Sequence, residues 1–157
     1  LEELPEFTDY AMKGRTYRYM ENKAQFPFGY GLTYGKVVVT DAAVSTNDEA
    51  SVTVQATVTN QGHTATRDVI QIYIKNTDSP LAVRNPELVA FTPVFLTAGE
   101  TQTISLTISS RAFTVVDENG IRKEDGTHFQ IFVGCSQPDE RSVELKGVKP
   151  VKIEYYK

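Results

Sequence analysis

Strict two-residue alternation dominates the chain from about residue 36 onward. Val52, Val54, Ala56 and Val58 fall on one side of a pleated segment, with Ser51, Thr53, Gln55, Thr57 and Thr59 on the other. Ile70, Ile72 and Ile74 repeat the pattern against Gln71 and Tyr73, and Ile104, Leu106 and Ile108 repeat it against Thr103, Ser105 and Thr107. Successive strand side chains point to opposite faces, so each segment reads as a strand with one face buried and one wet. Further strands are expected over residues 36–44, 88–96, 113–117, 127–134 and 142–153. That makes about eight short strands at sandwich-like spacing. Turn signals separate them: Asn60-Gln61-Gly62, Asp78-Ser79-Pro80, Ala98-Gly99-Glu100 and Glu118-Asn119-Gly120. Asn119-Gly120 predicts a tight hairpin whose two central residues both take φ > 0. Pro93 has no N–H for a ladder, which puts its strand at a sheet edge or at a bulge. No segment carries an amphipathic helical stripe.

Residues 1–34 follow neither rhythm. Phe7, Tyr10, Tyr17, Tyr19, Phe26, Phe28, Tyr30 and Tyr34 lie there, half of the Phe and Tyr residues in the chain. Asp48, Glu49, Asp117, Glu118, Glu124, Asp125, Asp139 and Glu140 fall in expected turns, where solvated or backbone-capping carboxylates are the norm. An irregular arm this rich in rings must cover them against something, because large exposed apolar patches are rare on soluble monomers and mark contact surfaces.

Composition narrows the classes. At 157 residues, 40% hydrophobic and 23% charged, the chain has a one-domain length and a globular make-up. A net charge of −4 argues against a nucleic-acid surface. The longest apolar stretch, Leu88 to Leu96, is broken by Thr92 and Pro93 and is too short to span a membrane. Cys135 is the only cysteine, so no internal disulfide forms, and it reads as a small packed thiol. The chain opens at Leu1 without an initiator Met, a basic n-region or an apolar h-region, and is read as a piece of a longer protein.

Catalytic and metal constellations are missing from the pattern. His63 and His128 form no pair at i, i+4, no Gly-x-Ser-x-Gly elbow occurs, and Gly29, Gly31 and Gly35 lack the Lys-Ser or Lys-Thr of a phosphate loop. Asp117-Glu118-Asn119-Gly120 lacks the further spaced oxygens of a calcium loop and reads as a turn. No catalytic residue, metal or cofactor is expected, and the chain alone is expected not to be an enzyme.

Asp9-Tyr10-Ala11-Met12-Lys13-Gly14-Arg15-Thr16-Tyr17-Arg18-Tyr19 followed by Phe26-Pro27-Phe28-Gly29-Tyr30-Gly31-Leu32-Thr33-Tyr34 resembles the segment entering the C-terminal fibronectin type III-like domain of glycoside hydrolase family 3. Arg84-Asn85-Pro86-Glu87-Leu88-Val89-Ala90-Phe91 with Leu96-Thr97-Ala98-Gly99-Glu100, and Gly126-Thr127-His128-Phe129-Gln130-Ile131-Phe132-Val133-Gly134, resemble two later stretches of that domain. The resemblance implies an all-β, antiparallel immunoglobulin/fibronectin-III-like sandwich over 35–157, preceded by an aromatic-rich arm over 1–34. The chain has no Trp and its last long strand has no Tyr, so the core Trp and tyrosine corner of ordinary fibronectin and immunoglobulin domains are absent.

The resemblance further implies a non-catalytic domain that stabilises and orients the catalytic domains of a β-glucosidase or β-xylosidase, with periplasmic or secreted location favoured. The family's nucleophile is an Asp followed by Trp in an N-terminal barrel, and its acid/base Glu lies in a middle domain, so the expected partners are that barrel and the α/β domain. Arg15, Tyr17, Arg18, Tyr19, Phe26, Phe28 and Tyr30 are the interface candidates, since guanidinium groups pair bidentately with carboxylates and rings supply apolar area. Gly29 and Gly31 are expected to permit close approach or φ > 0. The alternative is that the arm folds back on its own sandwich. Two other classes stay open: a carbohydrate-binding module with weak sugar contact through Tyr73, Tyr155 and Tyr156, and a free-standing interaction sandwich. The loop over 76–86 is a candidate for reaching the parent's active site, against an ordinary polar turn.

Overall fold

Alternating segments become strands because each has a shared interior to fill with its apolar side. The computed structural model describes residues 6–47 and 51–157, so Asp48 and Glu49 lie outside the described residues. In chain order the elements are α1 (Thr16–Tyr19), β1 (Val37–Thr46), β2 (Val52–Asn60), β3 (Thr66–Asn76), β4 (Glu87–Leu96), β5 (Thr101–Ile108), a 3₁₀ turn (Ser110–Phe113), β6 (Thr114–Val116), β7 (Arg122–Glu124), β8 (His128–Gly134), α2 (Glu140–Lys146) and β9 (Val151–Tyr156). Two antiparallel sheets, β1-β2-β5 and β4-β3-β8-β9, face each other, and β6 and β7 form a small separate ribbon. The expected all-β sandwich is the observed fold.

Val52, Val54, Val58, Ile70, Ile72, Leu96, Ile108, Phe129, Ile131 and Val133 fill the space between the sheets. Phe113, delivered by the 3₁₀ turn, meets Phe129 edge-on at 5.1 Å and joins the core. Asn60 stands in for missing ladder bonds at a corner: its Nδ2 donates to the carbonyls of Thr64, Leu96 and Thr97, and its Oδ1 accepts from Gly62 N. β4 is the edge of its sheet, as Pro93 requires, and it carries a bulge at Val89, which finds no partner between Ile72↔Ala90 and Tyr73↔Leu88.

Three sequence expectations are corrected. The strand expected over 142–153 is split, with only Val151–Tyr156 extended and Glu140–Lys146 helical. Local capping outweighs the alternation there: Asp139 Oδ1 accepts from Ser142 N at 2.6 Å, and Gly147 ends the helix at φ 69°. The β6–β7 hairpin places only Gly120 at positive φ; Asn119 stays on the ordinary side because Asp117 Oδ1 accepts from both Asn119 N and Ile121 N and fixes the loop. The third concerns β3. Gln71 and Tyr73, placed on a wet face by alternation, are buried, so this central strand is covered on both sides.

Candidate domain interface

What covers the outer side of β3 is the arm. Gln71 Nε2 donates to the carbonyl of Gly29 at 2.9 Å and to that of Cys135 at 3.2 Å, while Tyr73 Oη lies 2.6 Å from Gln71 Oε1 and 3.4 Å from the Phe28 carbonyl. Gln137 N donates to the same Phe28 carbonyl. Gly29 sits at φ 74°, and a Cβ there would come within 2.1 Å of Gln71 Oε1, so the contact needs glycine on two grounds. Gly31 needs it on neither: its φ is ordinary and nothing lies near its absent Cβ. Burial pushes the Tyr73 phenol well above its ordinary pKa, keeping it a neutral hydrogen-bonding group.

Both ends of this strap are also tied. Asn85 Nδ2 donates to the carbonyls of Tyr17 and Met20, Asn85 N donates to that of Arg18, and Leu88 N donates to Tyr17 Oη. At the other end Lys146 Nζ donates to the Gly31 carbonyl at 3.0 Å, lies 3.5 Å from Asp68, and stands 5.3 Å from the Tyr30 ring centroid. Lys23 pairs with Glu144 and Arg141 Nε donates to the Gln25 carbonyl, so α2 holds the middle of the strap as well. Lys23 and Arg141 hold the Glu144 carboxyl below its ordinary pKa.

The seven interface candidates divide by this geometry. Arg15 pairs with Asp9 at 3.6 Å and Arg18 with Glu87 at 3.2 Å, so both guanidinium groups have partners within the chain. Tyr17 stacks flat on Phe28 at 3.9 Å, and Tyr17, Tyr19 and Tyr30 are half-buried. Phe26 is 61% exposed and Phe28 42%. Phe7, Tyr10, Leu32 and Tyr34 are almost fully exposed. The backbone of the arm is therefore packed on the sandwich while many of its apolar side chains are not.

Sequence reasoning missed the outer side of β4. Phe91, Pro93 and Phe95 share that side and are exposed, with Arg67 reaching over the Phe95 ring at 5.6 Å. The signal was present: Val94 and Leu96 alternate with them, so one of the two apolar sets had to face outward. Phe28, Gly29, Gly31, Val69, Leu88 and Phe91, together with the polar Asp68 and Gln71, line a shallow groove of about 280 Å³ between strap and edge strand.

Other candidates have partners within the chain. His128 lies between Thr77 Oγ1 and Glu154 Oε2, each at 2.8 Å, and its ring stacks on Tyr156. Burial pushes the Cys135 thiol up to about 12, where it is no nucleophile. Among the described residues no group of His, Cys, Asp and Glu is placed to hold a metal ion. In the 76–86 loop, Asp78 accepts from Thr127 N and His128 N, bonds that hold its carboxyl below the ordinary pKa, and Ser79 Oγ donates to Asp125 Oδ2. Tyr73 is buried and unable to stack on a sugar; Tyr155 packs in the core against Phe113, leaving Tyr156 exposed.

Two facing antiparallel sheets with a short β6–β7 ribbon define an immunoglobulin-like sandwich of fibronectin type III-like type. The family profile described as "Fibronectin type III-like domain" matches residues 68–137. The chain is 39% identical over 142 residues to a xylan 1,4-β-xylosidase of Xylanibacter ruminicola, covering 88% of this chain and 16% of that protein. It is 36% identical over 150 residues to thermostable β-glucosidase B of Acetivibrio thermocellus, covering 88% and 20%. The crystal structure of the GH3 β-glucosidase of Bifidobacterium adolescentis superposes with a TM-score of 0.72 at 25% identity, over 88% of this chain and 20% of that one. The chain belongs to the fibronectin type III-like domains of glycoside hydrolase family 3. It spans a fifth or less of the length of the relatives it matches.

Proposed function

We propose that this chain is the non-catalytic C-terminal domain of a family 3 glycosidase that hydrolyses terminal β-D-glucosides or β-D-xylosides, and that it stabilises and orients the catalytic barrel and α/β domains. The observation that carries the reading is the combination of near-complete coverage of this chain with coverage of only 16–20% of β-xylosidase and β-glucosidase relatives. The interface is the arm, with Arg15, Tyr17, Arg18, Tyr19 and Tyr30 setting its shape and Phe26 and Phe28 presenting apolar area. Self-packing and docking are two sides of one device. The strap is fastened to β3 by backbone carbonyls, which leaves ring faces free for a partner.

Glycoside hydrolysis requires two carboxyl groups flanking the scissile bond. The Asp and Glu residues of this chain serve turns, caps and surface pairs in the cases described above, such as Asp78, Asp117, Asp139 and Glu144. The test is an assay of the isolated chain and of the complete polypeptide on p-nitrophenyl β-D-glucoside and β-D-xyloside. Activity in the complete polypeptide alone, with its loss or thermal destabilisation on removing this domain, is the expected result. Cleavage by the isolated chain, or a reading frame that encodes only tandem sandwiches upstream, overturns it.

A further inference from the structure

The exposed rings of β4 and of the strap are adjacent. Phe91 lies opposite Gln71 in the β3–β4 register, and Gln71 is the side chain that holds Gly29. The groove between them is lined by Phe28, Phe91, Val69, Leu88 and the two arm glycines, and its two polar members are already engaged, Asp68 by Lys146 and Gln71 by the Gly29 carbonyl.

We infer that this groove, with Phe91, Pro93 and Phe95 beside it, is a socket for an apolar side chain projecting from the rest of the glycosidase polypeptide. The inference rests on the proposed docking reading and extends it from the arm to the edge strand. Two considerations select a tethered occupant over a second copy of this chain. The relatives carry about four-fifths of their length outside the matched region, so a covalently joined partner is at hand. The rings that flank the groove, Phe28, Phe91 and Phe95, expose on the order of 300 Å², so the socket contact by itself is well under the roughly 800 Å² per partner of a stable association between free proteins. For a covalently linked domain, effective concentration makes a contact of this size sufficient. Pro93 blocks ladder pairing along this edge, so the outward Phe91 and Phe95 rings are available to side-chain contact rather than to strand addition.

Thiol labelling tests it. Phe91→Cys, Phe95→Cys, Phe26→Cys and, on the outer side of the opposite sheet, Thr103→Cys are each prepared in the isolated chain and in the complete polypeptide. Peptide mapping by mass spectrometry reads the label at each introduced thiol separately from the half-buried Cys135 and from any other cysteine of the complete polypeptide. The socket predicts labelling of Phe91→Cys and Phe95→Cys at least tenfold slower in the complete polypeptide, with Thr103→Cys unchanged. Protection of Phe26→Cys without protection at 91 and 95 overturns the socket and leaves the docking arm standing. Equal rates at all four positions overturn both. Concentration-dependent protection within the isolated chain assigns the face to a second copy and overturns the socket too.

Discussion

Gly29 shows how one residue couples the arm to the sandwich. Alanine there meets both a positive φ and Gln71 Oε1, so Gly29→Ala is expected to lower stability by about 2 kcal/mol or more, from αL strain of about 1–2 kcal/mol plus displacement of the strap. Gly31→Ala, with open space and ordinary φ, is expected to be neutral within about 0.5 kcal/mol. Urea unfolding followed by far-UV circular dichroism compares the two, and equal losses would contradict the account. Cys135 supplies a second residue-level test through pH. Its folded pKa is raised to about 12, so above the ordinary thiol value the unfolded state releases a proton that the folded state keeps. The Cys135 contribution to stability is then fully present below about pH 8.5 and falls as pH rises from there toward 12. Urea midpoints at pH 8 and pH 10 are expected to drop more for the native chain than for Cys135→Ala.

At the scale of elements, α2 is the piece that the strand pattern hid and the arm depends on. Asp139 caps it, and the helix in turn presents Arg141, Glu144 and Lys146 to the strap. Asp139→Ala is expected to cost about 1 kcal/mol as a lost N-cap, and to speed amide hydrogen exchange in residues 17–31 as well as in the helix. Loss confined to the helix would break the proposed link. Alternation revealed β2, β3 and β5 because each follows one period for several residues. It failed at Glu140–Lys146 because seven residues make two turns, too few for a stripe, and the informative signal was the Asp139 and Gly147 pair at its ends. β7 was invisible for another reason: Arg122–Glu124 is exposed throughout and has no apolar face to alternate. The Asn119-Gly120 hairpin was found as a loop but not as a turn type, since Asp117 decides between the alternatives through its side chain.

Across the whole molecule, the wet-face assignment of Gln71 and Tyr73 failed for a reason that bears on function. Alternation reports which residues face the sandwich interior, and it is silent about a third layer laid over the outer side by a segment with no period of its own. The aromatic content of the arm announced that a covering existed; only the fold shows that its carbonyls, more than its rings, make the attachment. Removing residues 1–31 strips Gln71 of its Gly29 partner and exposes the Tyr73 ring, neither of which the remaining sandwich can cover. Burial of one aromatic ring and two or three hydrogen bonds contributes roughly 2–4 kcal/mol, so the truncated chain is expected to melt on the order of 10 °C lower. An unchanged melting temperature would mean that the strap contributes nothing to the stability of this sandwich. The converse experiment separates the two contributions: Phe26→Ser in the isolated chain, where the ring is mostly in water, should leave stability within about 0.5 kcal/mol of the native value, yet lower the thermal stability of the complete polypeptide if the proposed docking covers that ring.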